Sequence, residues 1–173
     1  MNLFLTGEIQ VGKSTVIAKI LMLLKLKPKG FRTYFGPDRG FPDRLLYMNS
    51  ADKPKIYNRD YAVAIFTKES PPQALTEKFD TFGVELIQSA RTGTKLILMD
   101  ECGNLERDAH LFQKEILATL DGTIPILGVI KQTSSGWTDI LRNHPQVRFF
   151  TVTEANRDDM PQILAEQLTL NII

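Results

Sequence analysis

Two short stretches of the chain hold residues that can do phosphate chemistry. The first, LTGEIQVGKSTV, runs from Leu5 to Val16. Gly7 and Gly12 stand five residues apart, and Lys13 and Ser14 follow at once, in the order G-x-x-x-x-G-K-[ST]. Glycine lets a backbone wrap closely around a phosphate, because no Cβ obstructs the approach. Successive N–H groups then point inward at the positive end of the following helix and form an anion nest. Lys13 can reach the β- and γ-phosphates of a nucleoside triphosphate, and the Ser14 hydroxyl can bind Mg²⁺. The expected nucleotide-binding residues are Gly7, Glu8, Ile9, Gln10, Val11, Gly12, Lys13, Ser14 and Thr15.

The second stretch is KLILMDECGNLE, Lys95 to Glu106. An apolar run leads to Asp100, and Glu101 follows it. An aspartate at the carboxyl end of a buried strand is placed to hold Mg²⁺, directly or through water. A carboxylate beside it can orient and deprotonate a water for in-line attack on the γ-phosphate. Asp100 and Ser14 are thus the expected metal ligands, and Lys13 and Glu101 the expected catalytic groups. A solvated strand end or a helix N-cap would use the same two acids, so the pair gains its meaning from the phosphate loop.

Those residues need a frame. Asn2 to Thr6 is a short apolar run that reads as a buried strand. A helix is expected from Lys13 to about Lys27, stopped by Pro28 and Gly30. Phe31 to Phe35 reads as a strand, Gly36 to Tyr61 as loops and a hairpin, and Tyr61 to Phe66 as a strand. Gln73 to Arg91 carries Leu75, Phe79, Phe82, Leu86 and Ala90 near one helical face. Lys95 to Asp100 reads as a strand and Glu106 to Leu120 as a helix. Ile124 to Ile130 is a strand expected to lie next to the phosphate-loop strand. Thr138 to Asn143 (helix), Val147 to Thr153 (strand) and Asp158 to Leu170 (helix) complete the chain. Apolar strands alternating with helices predict an α/β fold, a mostly parallel sheet with helices on both faces.

Composition narrows the function classes. A length of 173 residues suits one domain spanning residues 1–173. A net charge of +1 offers no general affinity for nucleic acid. A single cysteine, Cys102, excludes an internal disulfide and a cysteine-based zinc site, and fits a reducing cytoplasm. The longest apolar stretch is broken by lysines, so no membrane span is expected. No signal segment, internal repeat or low-complexity tract stands out.

GEIQVGKST, MDECGNLE and TEANRDDM together resemble the small P-loop nucleoside-triphosphatases related to cancer-related nucleoside-triphosphatase (THEP-type NTPases). Members of that family carry motifs such as GEPGVGKTT, DEIGKME and a late NRD. The likeness runs in order over most of the chain and includes GFRTYF and FGVELI. It implies a RecA-like core with a small hairpin insertion, and slow, base-tolerant hydrolysis of ATP, GTP and other triphosphates with Mg²⁺. The family's Glu-x-Arg after Gly-Phe is missing here, where the segment reads GFRTYFGPDRGFPDR, and Arg39 and Arg44 stand as replacements for the usual arginines. Cys102 takes the place of isoleucine, and Asn104-Leu105 that of Lys-Met.

Further residues could join such a site. Arg157, in the loop after the last strand, can stack on the base in a RecA-like core; Asn156 could equally cap the final helix and Asp158 favour its dipole. Lys131, Gln132 or Thr133 could sense the γ-phosphate, or form an ordinary loop. Arg32, Arg39 or Arg44 could supply positive charge in the transition state. Trp137 reads as a packing anchor and Cys102 as a small buried residue; His110 and His144 belong to no metal cluster. A small-molecule kinase shares this loop and sheet, and so does a nucleotide-dependent switch subunit. Base preference, physiological substrate and oligomeric state are not encoded in any motif.

Overall fold

A computed structural model describes residues 1–172. Its centre is an eight-stranded sheet in the order β5-β4-β3-β2-β6-β7-β1-β8. The strands are β1 (Asn2–Thr6), β2 (Lys29–Phe35), β3 (Arg44–Ser50), β4 (Ala62–Phe66), β5 (Gln73–Ala74), β6 (Ile97–Cys102), β7 (Ile126–Ile130) and β8 (Val147–Thr151). From β2 through β6, β7 and β1 to β8 every pairing is parallel. The pairings β2–β3, β3–β4 and β4–β5 are antiparallel and form the hairpin extension. The strand Ile126–Ile130 pairs with β1, as its sequence predicts.

Helices cover both faces because the parallel strands are apolar on both. Helices α1 (Lys13–Leu24) and α6 (Met160–Ile172) pack together on one face. There Leu3, Leu5, Leu96, Leu98, Leu127 and Val129 meet Val16, Ile17, Ile20 and Leu164. The opposite face holds Phe4, Phe31, Met99, Ile126 and Ile130 under Ile87 of α3 (Val84–Ala90) and Phe112 and Ile116 of α4 (His110–Leu120). Alternate residues of one strand thus feed two separate cores. Gly128 of β7 lies opposite Phe4 in the β1 register. A Cβ there would stand 2.3 Å from the Phe4 ring, so glycine is what lets the ring lie flat on the neighbouring strand.

Element boundaries differ from the sequence reading at identifiable places. Helix α1 stops at Leu24 rather than near Lys27: Lys25 turns left-handed, φ 51°, and the Leu26 N–H donates back to the Leu21 carbonyl. The span Gln73 to Arg91 is not one helix. Gln73–Ala74 adds an edge strand to β4, and the helix that follows comprises α2 (Thr76–Lys78), a π turn over Phe79–Gly83, and α3. The helix expected from Glu106 begins only at His110, after a 3₁₀ turn over Asn104–Glu106. The last helix starts at Met160, so Asn156 is not its cap; its side chain instead accepts from the Thr153 N–H and donates to the Thr151 carbonyl.

Candidate active site

The phosphate loop forms where its sequence places it. Gly7 has φ 141° and Gly12 φ 112°, conformations that L side chains rarely adopt, and a Cβ on Gly7 would stand 2.5 Å from the Val152 carbonyl oxygen. Gln10 is also left-handed, φ 64°, at the position where the resembling motif has glycine. Helix α1 opens with no side-chain cap and no acidic residue in its first turn. Its first N–H groups and the positive end of its dipole therefore face the loop without an answering acidic group from the helix's own first turn. The Lys13 ammonium spans the loop, donating to the Gly7 carbonyl at 2.9 Å and the Glu8 carbonyl at 2.8 Å. Glu8, Ile9, Gln10, Ser14 and Thr15 are exposed, and Val11 is partly buried. Arg157 lies across the loop, its guanidinium donating to the Val11 carbonyl at 3.4 Å and its stem beside Gly12.

The acidic pair stands at the carboxyl end of β6, one strand removed from β1. The β6–β7 ladder shifts register between Met99 and Cys102, where the Asp100–Glu101 peptide is cis. Burial, reinforced by the charge of Glu101, pushes the Asp100 carboxyl up to about 7, while Lys13 and Arg32 oppose the rise. Burial also raises Glu101, against the pull of Lys13 and Lys131. Lys13 thus acts on both carboxylates and ties the two sequence motifs into one electrostatic unit. A buried carboxylate held up by a like charge is a site where a cation is favoured. The donor set agrees: one hydroxyl, on Ser14, and one carboxylate, on Asp100, are hard oxygens of the kind Mg²⁺ takes when phosphate oxygens and waters fill its other positions. No group of three His, Cys, Asp or Glu side chains forms a separate metal site among the described residues.

The three candidate arginines fall in different places. Arg32 pairs with Asp100 across β2 and β6, donates to the Lys53 carbonyl, and keeps its Nε buried without a partner. Arg44 is committed to the hairpin: its guanidinium lies 5.1 Å from the Phe35 ring centre and 4.8 Å from that of Phe66, and donates to the Phe41 and Pro42 carbonyls. Arg39 sits exposed in a turn over Pro37–Gly40. Lys131 faces Glu101, whereas Gln132 and Thr133 are exposed.

Two supporting groups, Glu106 at the end of the MDECGNLE motif and Trp137, have no site role in the sequence reading. Glu106 is 2% exposed, and one carboxyl oxygen accepts the Gly103 N–H at 2.8 Å. Burial pushes its carboxyl up to about 8, against that hydrogen bond. Trp137, a packing anchor as expected, is buried and donates its indole N–H to the Gly103 carbonyl at 2.8 Å. Gly103 is therefore held from both sides, and the turn after Glu101 is fixed to helix α5 (Trp137–Arg142). Cys102 is fully buried.

The sequence model of the NTPase family matches residues 2–165. The chain belongs to this family. Nucleoside-triphosphatase THEP1 of Natranaerobius thermophilus is 26% identical, over 96% of this chain and 96% of the relative. That of Thermofilum pendens is 28% identical, over 96% and 94%. The family's fold is the one seen here. The crystal structure of THEP1 from the hyperthermophile Aquifex aeolicus superposes with a TM-score of 0.75 at 19% identity, covering 97% of this chain and 99% of the other. The solution structure of a human cancer-related nucleoside triphosphatase gives 0.70 at 24% identity, covering 97% of each. The RecA-like P-loop architecture and the THEP-type family likeness both hold.

Proposed function

We propose that this chain is a Mg²⁺-dependent nucleoside-triphosphatase that hydrolyses ATP, GTP and other triphosphates to the diphosphate and phosphate, with Glu101 activating the water. The observation that carries the reading is that the phosphate loop after β1 and the Asp100–Glu101 pair of β6 stand at one end of the sheet, one strand apart, with Lys13 drawing both carboxyls down. The names borne by the related proteins, nucleoside-triphosphatase THEP1, agree with it.

The loop N–H groups and Lys13 hold the β- and γ-phosphates, and Arg157 bounds the nucleotide at Val11 and Gly12. Mg²⁺, held by Ser14 and Asp100, would neutralise charge on the phosphate oxygens. Glu101 orients a water in line with the bond to be broken and takes its proton as the new P–O bond forms. Arg32, beside Asp100, adds positive charge on the metal side. No helix among the described residues is long and apolar enough to cross a membrane, and the reading places the enzyme in a reducing cytoplasm with no nucleic-acid partner.

The test is phosphate release from ATP, GTP, CTP and UTP, with Mg²⁺ and with excess EDTA. Release from several triphosphates that stops with EDTA is the expected result. A folded protein that releases none overturns the reading.

A further inference from the structure

Glu101 does not face solvent alone. It forms part of the wall of a cavity of about 280 Å³ on the α4 side of the sheet. Its lining brings Glu101, Lys131 and the buried Glu106 together with the apolar Leu46, Phe66, Pro71 and Leu105. Hydrolysis needs room for one water and gains nothing from an apolar compartment beside the base. Small-molecule sites combine apolar walls with a few convergent polar groups, and this volume lies just below their usual range of about 300–1,000 Å³, as a small ligand requires. Trp137 and Glu106 hold the Gly103 turn that forms one wall, so the compartment has a fixed side.

We propose that this cavity is an acceptor site for a small primary alcohol with an apolar ring, which Glu101 deprotonates in place of water. The inference rests on the triphosphatase reading, since Lys13, Asp100 and Glu101 do the same work in both. The alcohol oxygen attacks Pγ. The bond from Pγ to the β–γ bridging oxygen breaks, and its electron pair leaves on the nucleoside diphosphate. The hydroxyl proton passes to the Glu101 carboxylate and then to solvent. The products are a phosphate monoester, the diphosphate and one proton. The apolar ring rests on Leu46, Phe66 and Pro71, and the hydroxyl meets Glu101.

The experiment is ³¹P NMR of ATP and Mg²⁺ with the full chain, in the presence of benzyl alcohol or cyclohexylmethanol. A phosphate monoester beside inorganic phosphate is expected. Leu105→Trp, which fills the cavity, should cut ester yield by about tenfold or more and leave phosphate release within about twofold, the discrimination that pocket shape commonly supplies. Phosphate without ester from either alcohol overturns the acceptor site and leaves the triphosphatase reading standing. Neither product overturns both. Ester unchanged by Leu105→Trp also overturns the site, because the alcohol then binds elsewhere. If Leu105→Trp does not fold, Phe66→Ala replaces it: enlarging the cavity should raise the ester yield from 2-naphthylmethanol relative to benzyl alcohol, and an unchanged ratio overturns the proposal.

Discussion

Asp100 and Glu101 are neighbours in the chain with separate tasks, and single-atom changes can tell them apart. Glu101→Gln keeps shape and loses basicity. Hydrolysis should fall by roughly 10²–10⁴-fold, the usual worth of a general base, while Mg²⁺-dependent binding of a fluorescent nucleotide analogue survives. Asp100→Asn should instead raise the Mg²⁺ concentration needed for half-maximal activity. The arginines make a second contrast. Arg32 lies beside Asp100 and Arg44 is stacked on Phe35 and Phe66. Arg32→Ala should therefore lower kcat by about 10³-fold if its charge serves the transition state as an arginine finger does. Arg44→Ala should change kcat only a few-fold and show its effect in thermal stability. Equal losses in kcat would erase that distinction. Gln10 offers a third case. Left-handed backbone costs a non-glycine residue about 1–3 kcal/mol, partly offset by glycine's greater freedom when unfolded, about 0.4–1 kcal/mol. Gln10→Gly should then raise the unfolding midpoint slightly, as scanning calorimetry would register.

Among the elements, the turn from Gly103 to Glu106 is the one whose chemistry titrates. Glu106 rises to about 8 in the folded protein, against about 4.3 for an unfolded glutamate. The folded state therefore binds the proton more tightly. This contribution to stability is fully present below the unfolded pKa and is lost as pH rises through the folded one. Asp100, raised to about 7, has the same sign. Thermal midpoints should fall between pH 5 and about 8.5, and Glu106→Gln, which keeps an acceptor for the Gly103 N–H, should flatten that fall. A wild-type midpoint that climbs over this range would contradict the assignment. This titration could not be read from the chain, where Glu106 closes the MDECGNLE motif and looks like the first residue of a helix. The contact back to Gly103 is local, three residues along the chain, but the burial of Glu106 comes from the packing around that turn, which has no local pattern. The phosphate loop was legible for the opposite reason: its glycines, lysine and helix start act within a dozen residues. Asp100 and Glu101 were legible because an apolar run stops at them. The edge strand Gln73–Ala74 was hidden, since two residues carry no period and the stretch after them is helical.

At the scale of the whole molecule, the order of strands separates two halves with different work. The parallel half brings the loop after β1 and the carboxylates of β6 to one end of the sheet, with β7 between them. The antiparallel half supplies Leu46 and Phe66 to the cavity beside Glu101. The same order also decides what the molecule offers to other copies of itself. Unpaired backbone groups at a sheet edge are templates for aggregation, and natural sheets blunt them with short strands and charges. One edge here is β5, only two residues long. The other is β8, five residues reading VRFFT, a β-prone run whose exposed charge is Arg148. Arg148→Val would turn it into VVFFT, uncharged and without proline, the composition that favours cross-β stacking. Light scattering of that variant under mild heating should rise earlier than that of the wild type while phosphate release stays intact. The arrangement that builds a catalytic end in the middle of the sheet thus leaves its colloidal behaviour to one arginine at the rim.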